Sequence, residues 1–226
     1  LGSGFCTGEV ISSQGLILTN HHCGYSAIQK LSTTTANHLK NGFWAKTKDE
    51  ELSAGFSVSF LVKIVDITDD ILADVTDENR RKLVGEHSSS VRKELSDSGA
   101  YAVDIKEMFS GNKYFAYVYK TFGDVRLVGT PPESVGKYGG DTDNWMWPRH
   151  TGDFSMFRVY ASKDNKATKG YSEENIPYTP KYHLPVSMKG VDKGDFAMIW
   201  GFPGSTDRYL SSYGVRNATE IDQPAR

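Results

Sequence analysis

Apolar residues fall in short, regularly interrupted runs along most of this chain. Val10-Ile11 and Leu16-Ile17-Leu18-Thr19 flank a turn at Ser12-Ser13-Gln14-Gly15, which predicts two short strands joined tightly. Residues 1–35 read as such strands followed by a turn at His21-His22, and residues 36–53 as a polar stretch anchored by Phe43-Trp44. From Phe56 to Val62 apolar and polar positions alternate at period two, the signature of a strand with one buried face. The pattern then changes. Between Asp66 and Ser98, Ile71, Leu72, Val75, Leu83, Val84, Val91 and Leu95 recur near helical spacing among many charges. Two helices are predicted there, broken near residues 85–90, with Gly99 as the stop. Strand patterns return at residues 114–119, 125–128, 154–160, 183–188 and 196–200, with Pro131-Pro132 and Gly201-Phe202-Pro203-Gly204 as turns. Residues 139–150 fit neither period.

The fold class that follows is mostly β with a helical insertion. Residues 1–65 form the first part of a β domain, 66–112 the insertion and 113–226 the continuation. Twenty-two glycines and a 12% aromatic share agree with many turns between strands. At 226 residues the chain is long enough to bury a core. Its net charge of −2 supplies no basic field for nucleic acid or anionic lipid. No apolar run reaches the roughly 18 residues a membrane span requires. The strand-like opening at Leu1 and the ending at Arg226 read as those of a segment of a longer protein.

Cys6 and Cys23 are the only cysteines. A bridge between them would close a loop of 17 residues, worth roughly 3 kcal/mol in the chain-entropy picture, and would immobilise the adjacent His22. The alternatives are zinc and two buried thiols. Cys6, His21, His22 and Cys23 lack both a C-x-x-C pair and the spacing of a closed zinc site, so the bridge is the expectation, and with it an oxidising compartment. No metal and no cofactor is expected. A histidine just before a bridged cysteine resembles the way two-barrel serine peptidases present their general base. Such a base needs a carboxylate on its far nitrogen. Asp153, at the start of the apolar strand 153–157, is the best candidate, ahead of the turn-forming Asp141 and Asp143. No nucleophile motif of the Gly-Asn-Ser-Gly or Gly-x-Ser-x-Gly type occurs. Ser205 follows Pro203, which removes a backbone donor that an oxyanion hole would use.

Residues 19–25, 124–158 and 201–209 carry a close resemblance to the N-terminal part of the bacterial dipeptidyl-peptidase 7/11 family of the chymotrypsin-like clan. The most specific run is Asn144-Trp145-Met146-Trp147-Pro148-Arg149-His150-Thr151-Gly152-Asp153. The resemblance implies a chymotrypsin-like β-barrel, the first barrel plus the start of the second, interrupted by part of an α-helical domain. It implies that His22 and Asp153 are members of a catalytic triad whose serine lies beyond Arg226. It assigns Asn144, Trp145 and Arg149 to the pocket for the substrate's free α-amino group. An amide oxygen on Asn144 can accept from the ammonium, Trp145 can wall the pocket, and Arg149 can only orient Asn144 or the peptide. Trp147 reads as a core aromatic. His21, His38, His87, His150 and His183 read as surface or supporting residues.

The function expected is therefore a serine exopeptidase that releases dipeptides from peptides with a free N-terminus. By the same resemblance the full-length protein would be a homodimer, periplasmic or at the cell surface, and this segment alone would be inactive without its serine. A trypsin-like endopeptidase and a non-catalytic secreted binding domain are the rival readings.

Overall fold

A computed structural model describes residues 1–2, 4–138, 151–198 and 209–222. In chain order the elements are β1 (Glu9–Val10), β2 (Leu16–Thr19), α1 (His21–Leu31), α2 (His38–Asn41), β3 (Phe43–Trp44), β4 (Leu52–Ser53), β5 (Val58–Asp66), α3 (Thr68–Leu72), α4 (Arg80–Leu95), β6 (Ala102–Met108), β7 (Lys113–Phe122), β8 (Asp124–Thr130), α5 (Glu133–Gly136), β9 (Ser155–Ala161), β10 (Ile176–Pro177) and α6 (Ser212–Asn217). The chain divides into a large unit, Leu1–Met188, and a small one, Lys189–Arg226. The described residues of the small unit hold α6 and no strand.

In the large unit an antiparallel sheet runs β1-β2-β9-β8-β3, with β10 added to β9 and β4 to β8. A second sheet runs β5-β7-β6. The architecture is thus mostly β with a few helices. The described strands do not close into the expected barrel, because the path ends on β1 and β3, each only two residues long, too short to supply a closing ladder. Alternation along β9 decides what lies inside: Ser155, Phe157, Val159 and Ala161 are fully buried. Phe157 and Val159 pack with Ile17 of β2, Ile28 of α1 and Val125 and Leu127 of β8. Burying each such side chain contributes roughly 1.5–3 kcal/mol.

The outer side of the same strand carries an interlocked polar set. Arg158 donates to Glu51 at 2.8 Å, and Tyr160 donates to the other Glu51 oxygen at 2.8 Å. Burial and that bond to Glu51 push the Tyr160 phenol well above its ordinary pKa. Arg126 makes a two-point contact with buried Asp124, at 3.0 and 2.9 Å, and lies 3.7 Å from the centre of the Tyr160 ring. Each buried charge has its partner, as burial demands. Together these contacts pin β4, β8 and β9 in one register, and Asp153 stands two residues before β9.

The insertion differs from expectation in two respects. Gly85 and residues 86–90 lie inside one continuous helix, α4, held against the second sheet through Val84, Val91 and Leu95. The break falls instead at residues 73–79, where Asp74 takes a positive φ of 57° and Asn79 receives the Thr76 amide at 2.7 Å. The other difference is that the end of the stretch assigned to the insertion, past the predicted helix stop at Gly99, holds a strand, Ala102–Met108, pairing along its whole length with β7. Alternating Val103 and Ile105 belong to the insertion's own core, and period two wins there. Residues 183–188 form no strand either. Pro185 offers no backbone donor, and the stretch reaches β1 through a single bond from Leu184 N to Val10 O, 2.8 Å. Residues 196–198 are likewise not a strand.

Candidate active site

The predicted turn at residues 20–24 is the beginning of α1. Asn20 occupies the N-cap with extended backbone, φ −68° and ψ 151°, yet its side chain makes no capping bond. An Asn at this position ordinarily accepts from an amide of the first helical turn. Here its amide nitrogen turns away and donates to Asp153, at 3.2 Å to Oδ2 and 3.3 Å to the backbone oxygen. The Asn20 carbonyl in turn accepts from the Ser155 hydroxyl at 2.8 Å. Gly24 permits this approach: a Cβ there would come within 2.7 Å of Ser155 Oγ and 3.0 Å of the Phe157 ring. Helix α1 is thereby pressed onto the start of β9.

That contact brings His22 and Asp153 together. The His22 backbone amide, one of the amides a helix start leaves unpaired, donates to Asp153 Oδ1 at 3.0 Å. The His22 ring lies with Nδ1 2.7 Å from Asp153 Oδ2. A carboxylate only accepts, so Nδ1 carries the proton. The His22 side chain is 67% exposed and that of Asp153 26%. With Nδ1 engaged, Nε2 is the nitrogen free to take a proton from a nucleophile. Such an arrangement can serve as the base half of a relay in which the acid fixes tautomer and orientation.

Cys6 and Cys23 are disulfide-bonded, with Cα atoms 6.0 Å apart. Their sulfurs and a His22 ring nitrogen lie within 4.8 Å of one another. Sulfurs joined in a disulfide offer no thiolate, and the thiolate is the metal ligand. The bridge instead ties the first turn of α1 to the chain preceding β1. Asn144, Trp145 and Arg149 lie outside the described residues, as do Asp141, Asp143, Trp147, His150 and Ser205.

Of the two roles expected for His21, surface or supporting, the surface one does not hold. The residue is 1% exposed, and its Nε2 makes no hydrogen bond among the described residues. Burial lowers its pKa from the usual 6.5; the Asp153 and Glu133 carboxylates oppose the shift, and His22 reinforces it. In the unfolded chain His21 gains a proton as pH falls through about 6.5, while in the folded chain it stays neutral until lower pH. The resulting loss of stability is absent above about pH 6.5, builds below it and levels off beneath the lowered folded value. The melting temperature of the intact protein is therefore expected to fall between pH 7.5 and 5.5. His21→Phe should flatten that fall; an unchanged slope would assign it to other groups.

Two supporting residues escaped sequence reasoning. Asn20 carried a signal, a cap residue directly before the His pair, but the signal spoke for a cap. Ser155 carried none, being an ordinary inward position of a strand.

Known proteins resemble this chain along its whole length. The peptidase S46 family matches residues 1–226. A dipeptidyl-peptidase 7 of Porphyromonas gingivalis is 50% identical over 99% of this chain and 32% of its own length. An Asp/Glu-specific dipeptidyl-peptidase of Capnocytophaga gingivalis is 48% identical with the same coverage. Among solved structures, DPP11 of Porphyromonas endodontalis, in complex with the dipeptide Arg-Asp, superposes with a TM-score of 0.87 at 42% identity, over 99% of this chain and 34% of that one. The chain spans about a third of the length of the curated relatives it matches. It belongs to the peptidase S46 family.

Proposed function

We propose that this S46 chain supplies the histidine and aspartate of a serine exopeptidase that removes dipeptides from the free N-termini of peptides. The observation that carries the proposal is the His22–Asp153 pair, whose 2.7 Å contact leaves Nε2 on an exposed ring. His22 takes the proton of a serine supplied from outside this sequence and then delivers it to the leaving amine. Asp153 holds the tautomer and stabilises the imidazolium. The relatives' names, and the dipeptide bound to DPP11, support dipeptides as the product class. The same reading places the two sheets in a chymotrypsin-like two-barrel framework with a helical domain beside it, and takes the whole protein as a homodimer. The Cys6–Cys23 bridge supports a periplasmic or cell-surface location.

Asn144, with Trp145 and Arg149, would hold the substrate's α-amino group and so set the cut two residues in. In the full-length parent, Asn144→Ala should lower kcat/KM on free dipeptidyl substrates by about 1.5–3 kcal/mol, the range for a lost hydrogen bond to a charged group. N-acetylated substrates should be poor for the wild type and hardly worse for the variant. Equal losses on both would make Asn144 a scaffold residue and leave the exopeptidase specificity without its anchor.

A further inference from the structure

The proposed chemistry makes no use of the buried His21 ring, yet that ring joins the two segments that carry the reacting pair. It lies directly against Gly136 of α5. A Cβ on Gly136 would overlap Cγ and Cδ2 of His21 and come within 2.8 Å of Nδ1. Ring and backbone are therefore fitted to one another without slack. Segment 132–136 is tied in turn to the dyad, since Gly152 N donates to Val135 O at 3.0 Å and Gly152 immediately precedes Asp153. A closed circuit results. It runs from His21 to His22, across two hydrogen bonds to Asp153, to Gly152, across to Val135, to Gly136 and back to the His21 ring.

A second strut runs beside the first. Tyr25 meets His21 edge-on at 6.2 Å, and its hydroxyl donates to Glu133 at 3.3 Å. The His21 Nε2 makes no hydrogen bond among the described residues. The contact thus uses the shape of the ring and not its polarity.

We propose that His21 is a positioning residue for the hydrolysis: seated on Gly136, its ring sets the spacing between α1, which carries His22, and the segment from which Asp153 extends. This rests on the reading of His22 and Asp153 as the catalytic pair. A side chain at position 136 would push the two segments apart, and loss of the ring would let them close. Either displacement moves the His22 ring relative to Asp153 and misaims Nε2, the nitrogen that takes the proton, and misplacement by about 1 Å can cost on the order of 100-fold.

The test uses the full-length parent enzyme, with turnover expressed per active site titrated by a covalent serine reagent. Gly136→Ala is expected to lower kcat about 30-fold and His21→Ala about 10-fold, each leaving KM within about threefold. In the His21→Ala background the ring is gone, so adding Gly136→Ala should cost less than about threefold. A purely architectural His21 would change the titrated fraction and the melting temperature while kcat per site stayed at the wild-type value, and that result overturns the proposal. Simple multiplication of the two losses overturns it as well. If Gly136→Ala fails to accumulate, His21→Ala, which only removes atoms, carries the kcat test. His22→Ala, whose turnover is expressed per folded protein because the serine reagent itself needs the base, serves as the reference. If it turns over like the wild type, the catalytic reading itself is wrong, whereas an inactive His22→Ala beside unaffected His21 and Gly136 variants sinks only the positioning role.

Discussion

His22→Ala in the full-length parent is expected to lower kcat about 10⁴- to 10⁶-fold, the scale for removing the general base of a serine-histidine-acid relay. KM should change little, because the imidazole acts on the nucleophile and not on the substrate's binding groups. The folded state should be nearly unaffected. His22 is 67% exposed at the side chain, and α1 is held by buried Cys23, Ala27 and Ile28 instead. An equal melting temperature with turnover gone separates chemistry from folding. Retention of more than a few per cent of wild-type kcat would remove His22 from the mechanism. His21→Ala is the internal comparison, since a misassigned pair would exchange the two phenotypes.

The next largest effect belongs to Asp153→Asn, for which a kcat loss of about 10⁴-fold is expected with structure preserved. The carboxylate now accepts from the His22 ring, the His22 backbone amide and the Asn20 side chain. A carboxamide keeps one acceptor oxygen and presents an NH₂ in place of the other. If the oxygen stays with the backbone amide, the NH₂ faces Nδ1, which must then give up its proton. The proton moves to Nε2, and that nitrogen can no longer take one from a serine. Asp153→Ala should be no more active, because it abolishes the acceptor altogether. Full activity in Asp153→Asn would mean that the tautomer is set elsewhere.

How much of this was legible beforehand differs element by element. The strands at 114–119 and 154–160 announced themselves, because one face of each is buried and the other is not. The pairing of His22 with Asp153 was legible from chemistry, a histidine beside a bridged cysteine and an acid opening an apolar strand, although residues between them gave no local clue. Helix α1 was not legible at all, since residues 1–35 read as short strands and a turn. Gly24 weakens a helix locally, and only the press of Ser155 and Phe157 against that position explains why a glycine is suited there. The Asn20 side chain, which occupies the N-cap position, is drawn off by a carboxylate far along the chain. Whether His21 was a surface or a supporting residue stayed open, because nothing local reveals that Gly136 will lie over it. The break predicted in α4 failed because Gly85 is tolerated once the half-buried Val84 and Val91 pack against the sheet. In each case a contact remote in sequence overruled a local preference.

The ladder between β2 and β9, which pairs Leu16 with Arg158 and Thr19 with Ser155, also sets an order of events during synthesis. The β9 partners of β2 leave the ribosome well over a hundred residues after it, and pairings that distant in sequence form late. The cysteine loop has no such wait. Cys6 and Cys23 can meet as soon as both emerge into an oxidising space, long before β9 exists. In a chain that meets an oxidising space at that stage, the first hairpin is stapled while His22 is still without Asp153. A chain arrested before residue 153 would hold both cysteines and lack the His22–Asp153 contact, which forms only once the start of β9 has docked.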